Sequence, residues 1–245
     1  MARLRVLKDG ALDPAWNMAV DEALMTCDSP PTLRLYGWNP HAVSLGYFQR
    51  AGPFAARIGG IPLVRRLTGG GAIHHAHEQT FSLALPLSSF PPDVRRSYLL
   101  VHGAIVRALS RVGVEASIVE RGRPHAARPS SDWCFAGPGA GDIAGPCGRK
   151  LLGSAQRRIR WPEARVLHHG SLVLRRSDLT PFTAAVSDQV DPGAVLEPLC
   201  SALIEEIAAC LGMSPSPGSL TDRETSAART LRRDRYLAPG FTFAR

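Results

Sequence analysis

Lys150 is one of two lysines in a 245-residue chain that carries 27 arginines, and it sits in the segment Gly148-Arg149-Lys150-Leu151-Leu152-Gly153-Ser154-Ala155-Gln156. In a chain that uses arginine almost everywhere a positive charge is needed, a lysine framed by glycines points to a requirement for a compact ammonium. Lys8, the other lysine, has no such frame. Well upstream lies a second glycine-rich segment, Arg65-Arg66-Leu67-Thr68-Gly69-Gly70-Gly71-Ala72-Ile73-His74-His75. Three consecutive glycines expose backbone N–H groups without Cβ cover, which suits close approach to an oxygen of a carboxylate, phosphate or thioester.

The thiols are the second source of chemistry. Cys27, Cys134, Cys147, Cys200 and Cys210 are an odd number in a long chain and form no Cys-x-x-Cys pair, so neither a disulfide framework nor a zinc site is favoured. Cys27, Cys200 and Cys210 fall on helical patterns and read as core; Cys147 falls in a turn and reads as a surface thiol. Cys134 lies between Trp133 and Phe135, where the residues alone allow either a buried apolar side chain or a nucleophile. His74, His75 and His77 invite a metal reading, but no acid or cysteine set accompanies them, and no metal is expected. The pair Arg65-Arg66 reads as one buried and one solvated strand residue.

With 44% apolar and 20% charged residues, the chain has the make-up of a globular protein with a sizeable core. No run approaches the roughly 18 apolar residues of a membrane span, and Met1 to Gly10 alternates basic and apolar residues without the apolar region of a signal peptide. A cytoplasmic location is expected. The net charge of +8 attracts acidic partners in general, whether nucleic acid, acidic carrier proteins or an anionic membrane. The basic clusters lack the interleaved aromatic residues of a nucleic-acid surface, so neither nucleic acid nor membrane is the expected partner.

Positioning these residues requires a set of elements that the sequence outlines. Asp13-Pro14, followed by Trp16, Val20, Ala23 and Leu24, predicts a capped amphipathic helix. Thr32 to Trp38 and Ala42 to Phe48 read as strands joined in a hairpin at Asn39-Pro40, and Ile61 to Leu67 as a strand that feeds the glycine loop. Gln79 to Leu87 alternates as a half-buried strand, and Asp93 to Val112 has helical spacing that stops at Gly113. After a strand at Val114 to Val119, the basic, Pro- and Ser-rich stretch Arg121 to Asp132 reads as a mobile loop. Asp142 to Ala155 predicts a hairpin around Gly145-Pro146-Cys147-Gly148 with Lys150 on its returning arm; Arg165 to Leu174 is a further strand. Two helices complete the chain, Ala194 to Leu211 and one opened by the capping box Thr221-x-x-Glu224. The expected class is α+β, a mainly antiparallel or mixed sheet flanked by helices. A single catalytic domain over residues 1–245 is expected, with its core at about 30–215 and the helices of 194–245 packed on it.

The blocks Tyr36-Gly37-Trp38-Asn39-Pro40, Ser44-Leu45-Gly46-Tyr47-Phe48-Gln49, Arg65 to Gly71, Gly148 to Gln156 and His169-Gly170-Ser171 resemble the lipoate-protein ligase and octanoyltransferase superfamily, related to biotin-protein ligases. Trp133-Cys134-Phe135 is similar to the Cys-Phe of octanoyltransferases that use a cysteine nucleophile. That resemblance implies the biotin/lipoate-protein ligase catalytic fold. It also implies transfer of an octanoyl or lipoyl group from acyl carrier protein to a lysine of a lipoyl-domain protein. The acceptors it implies are glycine cleavage H protein and the E2 subunits of 2-oxoacid dehydrogenases. Cys134 carries over as the acyl-accepting nucleophile and Lys150 as the residue that lowers its pKa. Arg65, Gly69, Gly70, Gly71 and His75 carry over as substrate-binding residues, as do Gly153, Ser154, Ala155, His169 and Gly170. His169 also admits a purely structural reading.

A thiolate can carry acyl exchange because a cysteine thioester conserves the reactivity of a thioester donor, and neither ATP nor another cofactor is then required. A free thiol of pKa about 8.5 is mostly protonated at neutral pH, so a neighbouring cation is needed. The oxyanion of each tetrahedral intermediate needs N–H donors, for which the Gly69 to Ala72 backbone and the N–H groups of Cys134 and Lys150 are candidates. The rival reading is an ATP- and magnesium-dependent lipoate-protein ligase, with an acyl-adenylate at the glycine loop and Cys134 incidental.

Overall fold

The computed structural model describes residues 1–120, 132–161 and 163–244. The chain opens with strand β1 (Ala2–Leu12), which turns Leu4 and Val6 inward. Helix α1 (Pro14–Thr26) follows; Asp13 caps it by accepting the N–H of Trp16 at 2.9 Å, and Pro14 occupies the first turn. Strands β2 (Thr32–Trp38) and β3 (Ala42–Leu45) come next, then the short helix α2 (Gly52–Ala55) and strands β4 (Leu63–Arg65), β5 (Ile73–His75) and β6 (Glu78–Pro86). Helix α3 (Val94–Ser110) is capped by Asp93 and ends before Gly113, whose φ of +77° suits a residue without Cβ. The second half holds β7 (Ser117–Ile118), β8 (Ile143–Ala144), β9 (Lys150–Ile159), β10 (Arg165–Val173), α4 (Pro192–Cys210), β11 (Met213–Pro217), α5 (Asp222–Leu231) and α6 (Pro239–Thr242).

Eight strands form one mixed sheet in the order β11-β1-β2-β6-β10-β9-β8-β7. β11, β1 and β2 are parallel, and every pairing from β2 to β7 is antiparallel. Helices cover both faces. Phe81, Leu83 and Leu85 of β6 pack with Val101, Ile105 and Leu109 of α3 and Leu199, Leu203 and Ile207 of α4. On the other face Tyr36, Trp38 and Ala84 pack with Met18, Ala19 and Ala23 of α1, over which Ala228 of α5 closes. Each fully buried Leu or Phe contributes about 1.5–3 kcal/mol, so the two layers hold the central strands rigidly. Among the described residues, no helix is long and apolar enough to cross a membrane.

The α+β class and the helix caps, including the reciprocal Thr221–Glu224 box, agree with the sequence reading. Local readings change in several places, and residues 2–12, whose alternation of basic and apolar residues is a strand signature, add a strand to the main sheet. β2 and β3 are not a hairpin: β3 leaves for a separate three-stranded sheet, β4-β3-β5, after the cis Asn39–Pro40 bond. β6 is buried on both faces through most of its length because α1 covers Ser82 and Ala84. The strand expected at Val114 to Val119 shortens to Ser117–Ile118. The loop expected at Arg121 to Asp132 lies outside the described residues except for Asp132.

Candidate active site

The glycine loop and the cysteine segment are stitched together by their backbones. Ala72 N–H donates to the Asp132 carbonyl at 2.8 Å, and Cys134 N–H donates to the Ala72 carbonyl at 2.9 Å. Gly71 makes this approach possible, since a Cβ there would stand 2.6 Å from the Cys134 nitrogen. Both Ala72 and Cys134 N–H groups are therefore committed and drop out as oxyanion donors. Gly69 and Gly70 remain: both border the cavity described below, and no hydrogen bond among the described residues uses either N–H.

Lys150 reaches the same point from the other side. The Gly145–Gly148 turn, closed by Gly148 N–H to the Gly145 carbonyl at 2.9 Å, delivers Lys150 as the first residue of β9, 4% exposed. Its ammonium lies 3.4 Å from Cys134 Sγ, 3.3 Å from the Cys134 carbonyl oxygen and 2.9 Å from Asp142 Oδ2. The Phe135 ring covers it at 5.2 Å. Burial alone would depress this lysine, but negative charge at the Cys134 sulfur and the Asp142 carboxylate outweigh burial and raise it above the ordinary lysine value. Lys150 is thus a fixed cation at neutral pH. Lys8, by contrast, is exposed and pairs with Glu197 at 2.6 Å.

Asp142, which the sequence did not single out, also accepts the N–H of Gly139 at 2.6 Å. The preceding Gly141 carbonyl accepts His102 Nδ1–H, and His102 Nε2 in turn accepts the Ser154 hydroxyl at 2.7 Å. Ser154 Oγ also accepts His168 Nε2–H at 2.8 Å, while His168 Nδ1 accepts from Gln156 at 2.8 Å. Burial pushes both imidazoles below the ordinary histidine range, so both are neutral and this single set of tautomers satisfies the chain. The network pins the Asp142 segment to β9.

The two arginines before the glycine loop are both buried, at 2% and 3% exposure, where the sequence suggests one buried and one solvated. The Arg65 guanidinium donates to the carbonyls of Gly46, Tyr47, Gln49, Phe241 and Thr242, tying three segments together, and is not part of the cavity wall. Arg66 is. It donates to the Ser44 carbonyl and hydroxyl at 2.8 and 2.7 Å and to the Gly69 and Gly71 carbonyls at 3.2 and 2.9 Å. Each trans peptide carries its N–H opposite its C=O, so holding the Gly69 carbonyl turns the Gly70 N–H away from Arg66. His75 supports this arrangement: Nε2 accepts the Ser44 hydroxyl at 2.6 Å, Nδ1–H donates to Glu78, and the ring stacks on Trp38 at 3.7 Å. Burial pushes His75 below its ordinary value against the pull of Glu78, which keeps it neutral.

Cys134, Gly69, Gly70, His75, Gly153, Ser154, Ala155, His169 and Gly170 all border one cavity of about 390 Å³, part of it open to solvent. Met18, Tyr36, Trp38 and Ile73 supply apolar wall. A Cβ on Gly170 would lie 2.7 Å from the Phe81 ring and from the Gly153 carbonyl, so the register of β9 and β10 at this point depends on glycine. His169 is anchored by Thr68 at 2.7 Å and by Asp21 at 3.2 Å. Asp21 is itself held by Arg34, Tyr36 and Ser82, so His169 both lines the cavity and belongs to a buried polar cluster. Among the described residues no group of three or more His, Cys, Asp and Glu side chains is placed to hold a metal ion.

An apolar cavity of ligand size with a thiol and a glycine loop on its wall, and an ammonium 3.4 Å behind the thiol, is a site for acyl chemistry on a hydrophobic chain. The chain belongs to the lipoyl protein ligase A/B catalytic domain family, whose model matches residues 13–211. It is 36% identical to an octanoyltransferase, LipM, of Kyrpidia tusciae, with 99% of each chain covered. To the LipM octanoyltransferase of Symbiobacterium thermophilum it is 32% identical, over 95% of each. Among solved structures, protein Ta0514 from T. acidophilum with bound lipoic acid superposes with a TM-score of 0.79 at 25% identity, covering 100% of this chain and 99% of that one. Lipoate-protein ligase A bound with ATP superposes with a TM-score of 0.76 at 24% identity, over 99% and 98% of the two chains, a likeness of fold.

Proposed function

We propose that the protein transfers an octanoyl group from an acyl carrier protein thioester to a lysine of a lipoyl-domain protein, through a thioester on Cys134. The observation that carries the reading is the buried Lys150 ammonium at 3.4 Å from a cysteine sulfur on the wall of an apolar cavity. The relatives named octanoyltransferase over nearly the whole length support the same reaction.

In the first half-reaction the Cys134 thiolate attacks the donor carbonyl carbon. The tetrahedral oxyanion meets the Gly70 N–H, the carbon–sulfur bond to the donor breaks, and the carrier thiolate leaves. In the second, the acceptor amine attacks the Cys134 thioester, the carbon–sulfur bond to Cys134 breaks, the amide forms, and the amine surrenders a proton to solvent. Lys150 stabilises the sulfur anion before the first step and after the second. One thioester is exchanged for another of similar energy and then for a more stable amide, so no ATP and no magnesium is consumed. Glycine cleavage H protein and E2 lipoyl domains are the acceptors that fit a lysine-directed reaction of this kind. An E2 lipoyl domain is the partner of the bi-partite lipoate protein ligase of Thermoplasma acidophilum.

Intact mass after mixing the protein with octanoyl carrier protein tests the reading. The expected result is one octanoyl group on Cys134, discharged by a lipoyl domain in the absence of ATP. Strict ATP dependence with free octanoate or lipoate as the only productive donor would establish the ligase reaction instead.

A further inference from the structure

His74, left over from the histidine-rich stretch, opens a second cavity beside the first. This cavity, of about 300 Å³ including space open to solvent, is walled by Ile73, Phe135 and Val173 and by the polar residues His74, Thr180 and Thr183. Ile73 borders both cavities, and Phe135 is the residue after Cys134. Along β10 the first cavity reaches Ser171 and the second begins at Val173, two residues on and therefore about 7 Å farther at the rise of a strand. The two spaces thus adjoin at Ile73 and at the Cys134–Phe135 segment.

Two charged residues, Arg175 and Glu78, also line the second cavity, and both are engaged by neighbouring groups. Arg175 at its edge is drawn to Asp191 at 2.9 Å, and the Glu78 carboxylate is held by His75, Thr80 and Ser171. His74 is different. Its Nδ1 pairs with Ser177 Oγ at 2.8 Å, which pairs onward with Thr180 Oγ1 at 2.9 Å, but its buried Nε2 has no partner among the described residues. Of the four side-chain atoms in that condition, Ser29 Oγ, His74 Nε2, Arg165 Nε and Thr242 Oγ1, it alone belongs to a residue on either cavity wall. Burial, with His75 and His41 nearby, pushes His74 down to about 4, so the ring is neutral and Nε2 offers one uncharged hydrogen bond that no described residue takes up. An unpaired buried nitrogen is costly, and a ligand that supplies its partner recovers that cost.

We propose that this second cavity receives the amide-bearing arm of the acyl donor, with His74 Nε2 hydrogen-bonded to an amide of that arm. The inference rests on the acyl-transfer reading above. A carrier protein presents its thioester on a thiol arm that contains amide groups; with the acyl chain in the first cavity and the carbonyl at Cys134, the arm extends past Phe135. Uncharged amides match uncharged donors and acceptors, and the two nearby charges are already engaged, Arg175 by Asp191 and Glu78 by hydrogen bonds from His75, Thr80 and Ser171.

The test compares acylation of Cys134 by octanoyl-pantetheine and by the octanoyl thioester of 2-mercaptoethanol, which lacks amides. With octanoyl-pantetheine, His74→Ala should lose about tenfold in kcat/KM through KM, the size of one hydrogen bond. The amide-free donor should react with His74→Ala and the parent at the same rate, and His74→Gln, which restores a polar group, should recover much of the loss. Equal loss with both donors, or none with octanoyl-pantetheine, overturns the proposal. A parent protein that takes an acyl group from neither donor instead refutes the covalent reaction itself, and the inference with it.

Discussion

A Cβ on Gly153 would stand 2.5 Å from Cε and 2.8 Å from Nζ of Lys150, and 3.5 Å from Cys134 Sγ. The strand that begins with the lysine therefore passes beside its own ammonium three residues later, and only a glycine leaves room. In Gly153→Ala the obstruction meets the far end of a flexible side chain, so Lys150 moves off Asp142 and the backbone stays. Loss of that charge-assisted hydrogen bond should lower transfer by tenfold or more and cost about 1.5–3 kcal/mol of stability, which lowers the unfolding temperature by roughly 3–12 °C. Octanoyl-transfer rates and a melting curve on the same sample check both halves.

Cys134→Ala should abolish the octanoyl adduct and the transfer together. The side chain is only half-buried, so stability should change by no more than about 1 kcal/mol. Full transfer by this variant would exclude covalent catalysis at the position. Iodoacetamide labelling should be blocked at Cys134 by prior octanoylation. The measurement needs a Cys147→Ser background, because Cys147 is exposed and its hydrogen bond from Arg149 holds that thiol below its ordinary range.

Lys150→Arg should be poorly tolerated although the charge is kept. The broader planar guanidinium cannot enter a space bounded by Gly153, the Phe135 ring and Asp142 without displacing one of them. Near-normal transfer by this variant would reduce Lys150 to a replaceable cation.

Asp142→Asn should shift the alkaline limb of the self-acylation pH profile. Asp142 raises Lys150, so its neutralisation brings the ammonium down and the cation is lost at a lower pH than in the parent. An alkaline limb that stays in place would show that Lys150 ionisation does not control the step.

Glu224 should govern part of the acid stability. Burial would raise its carboxyl, but the bidentate Arg5 pair at 2.6 and 2.9 Å and the Thr221 N–H outweigh burial and hold it at about 2. A depressed carboxyl gives stability that is complete above its unfolded value of 4.5 and is lost as pH falls toward 2. Glu224→Gln should therefore flatten the stability profile between those limits, at a cost of about 1.5–3 kcal/mol near neutrality. Urea titrations at several pH values measure this directly.

Much of this was legible in the residues. Asp13, Asp93 and the Thr221–Glu224 box mark helix starts because capping is a local interaction, and Gly145–Gly148 marks the turn that delivers Lys150 for the same reason. What escaped was non-local. Asn39-Pro40 reads as a hairpin turn, yet which sheet β3 joins is settled by its pairing with Leu63–Arg65 and Ile73–His75. Arg66 looks like any strand arginine until Ser44, Gly69 and Gly71 close around it. Asp142 carries no motif of its own and gains meaning only when the turn folds it back beside Lys150.

The register of β1 with β11, Ala2 against Met213 through Val6 against Pro217, has a consequence for biogenesis. During synthesis the first strand emerges long before its outer neighbour. A ribosome-bound chain that has reached only β10 displays one side of β1 as a row of unpaired peptide groups, a template for another nascent chain. Arg3 and Arg5 on that strand repel a second copy of themselves until Met213 to Pro217 arrive and seal the seam.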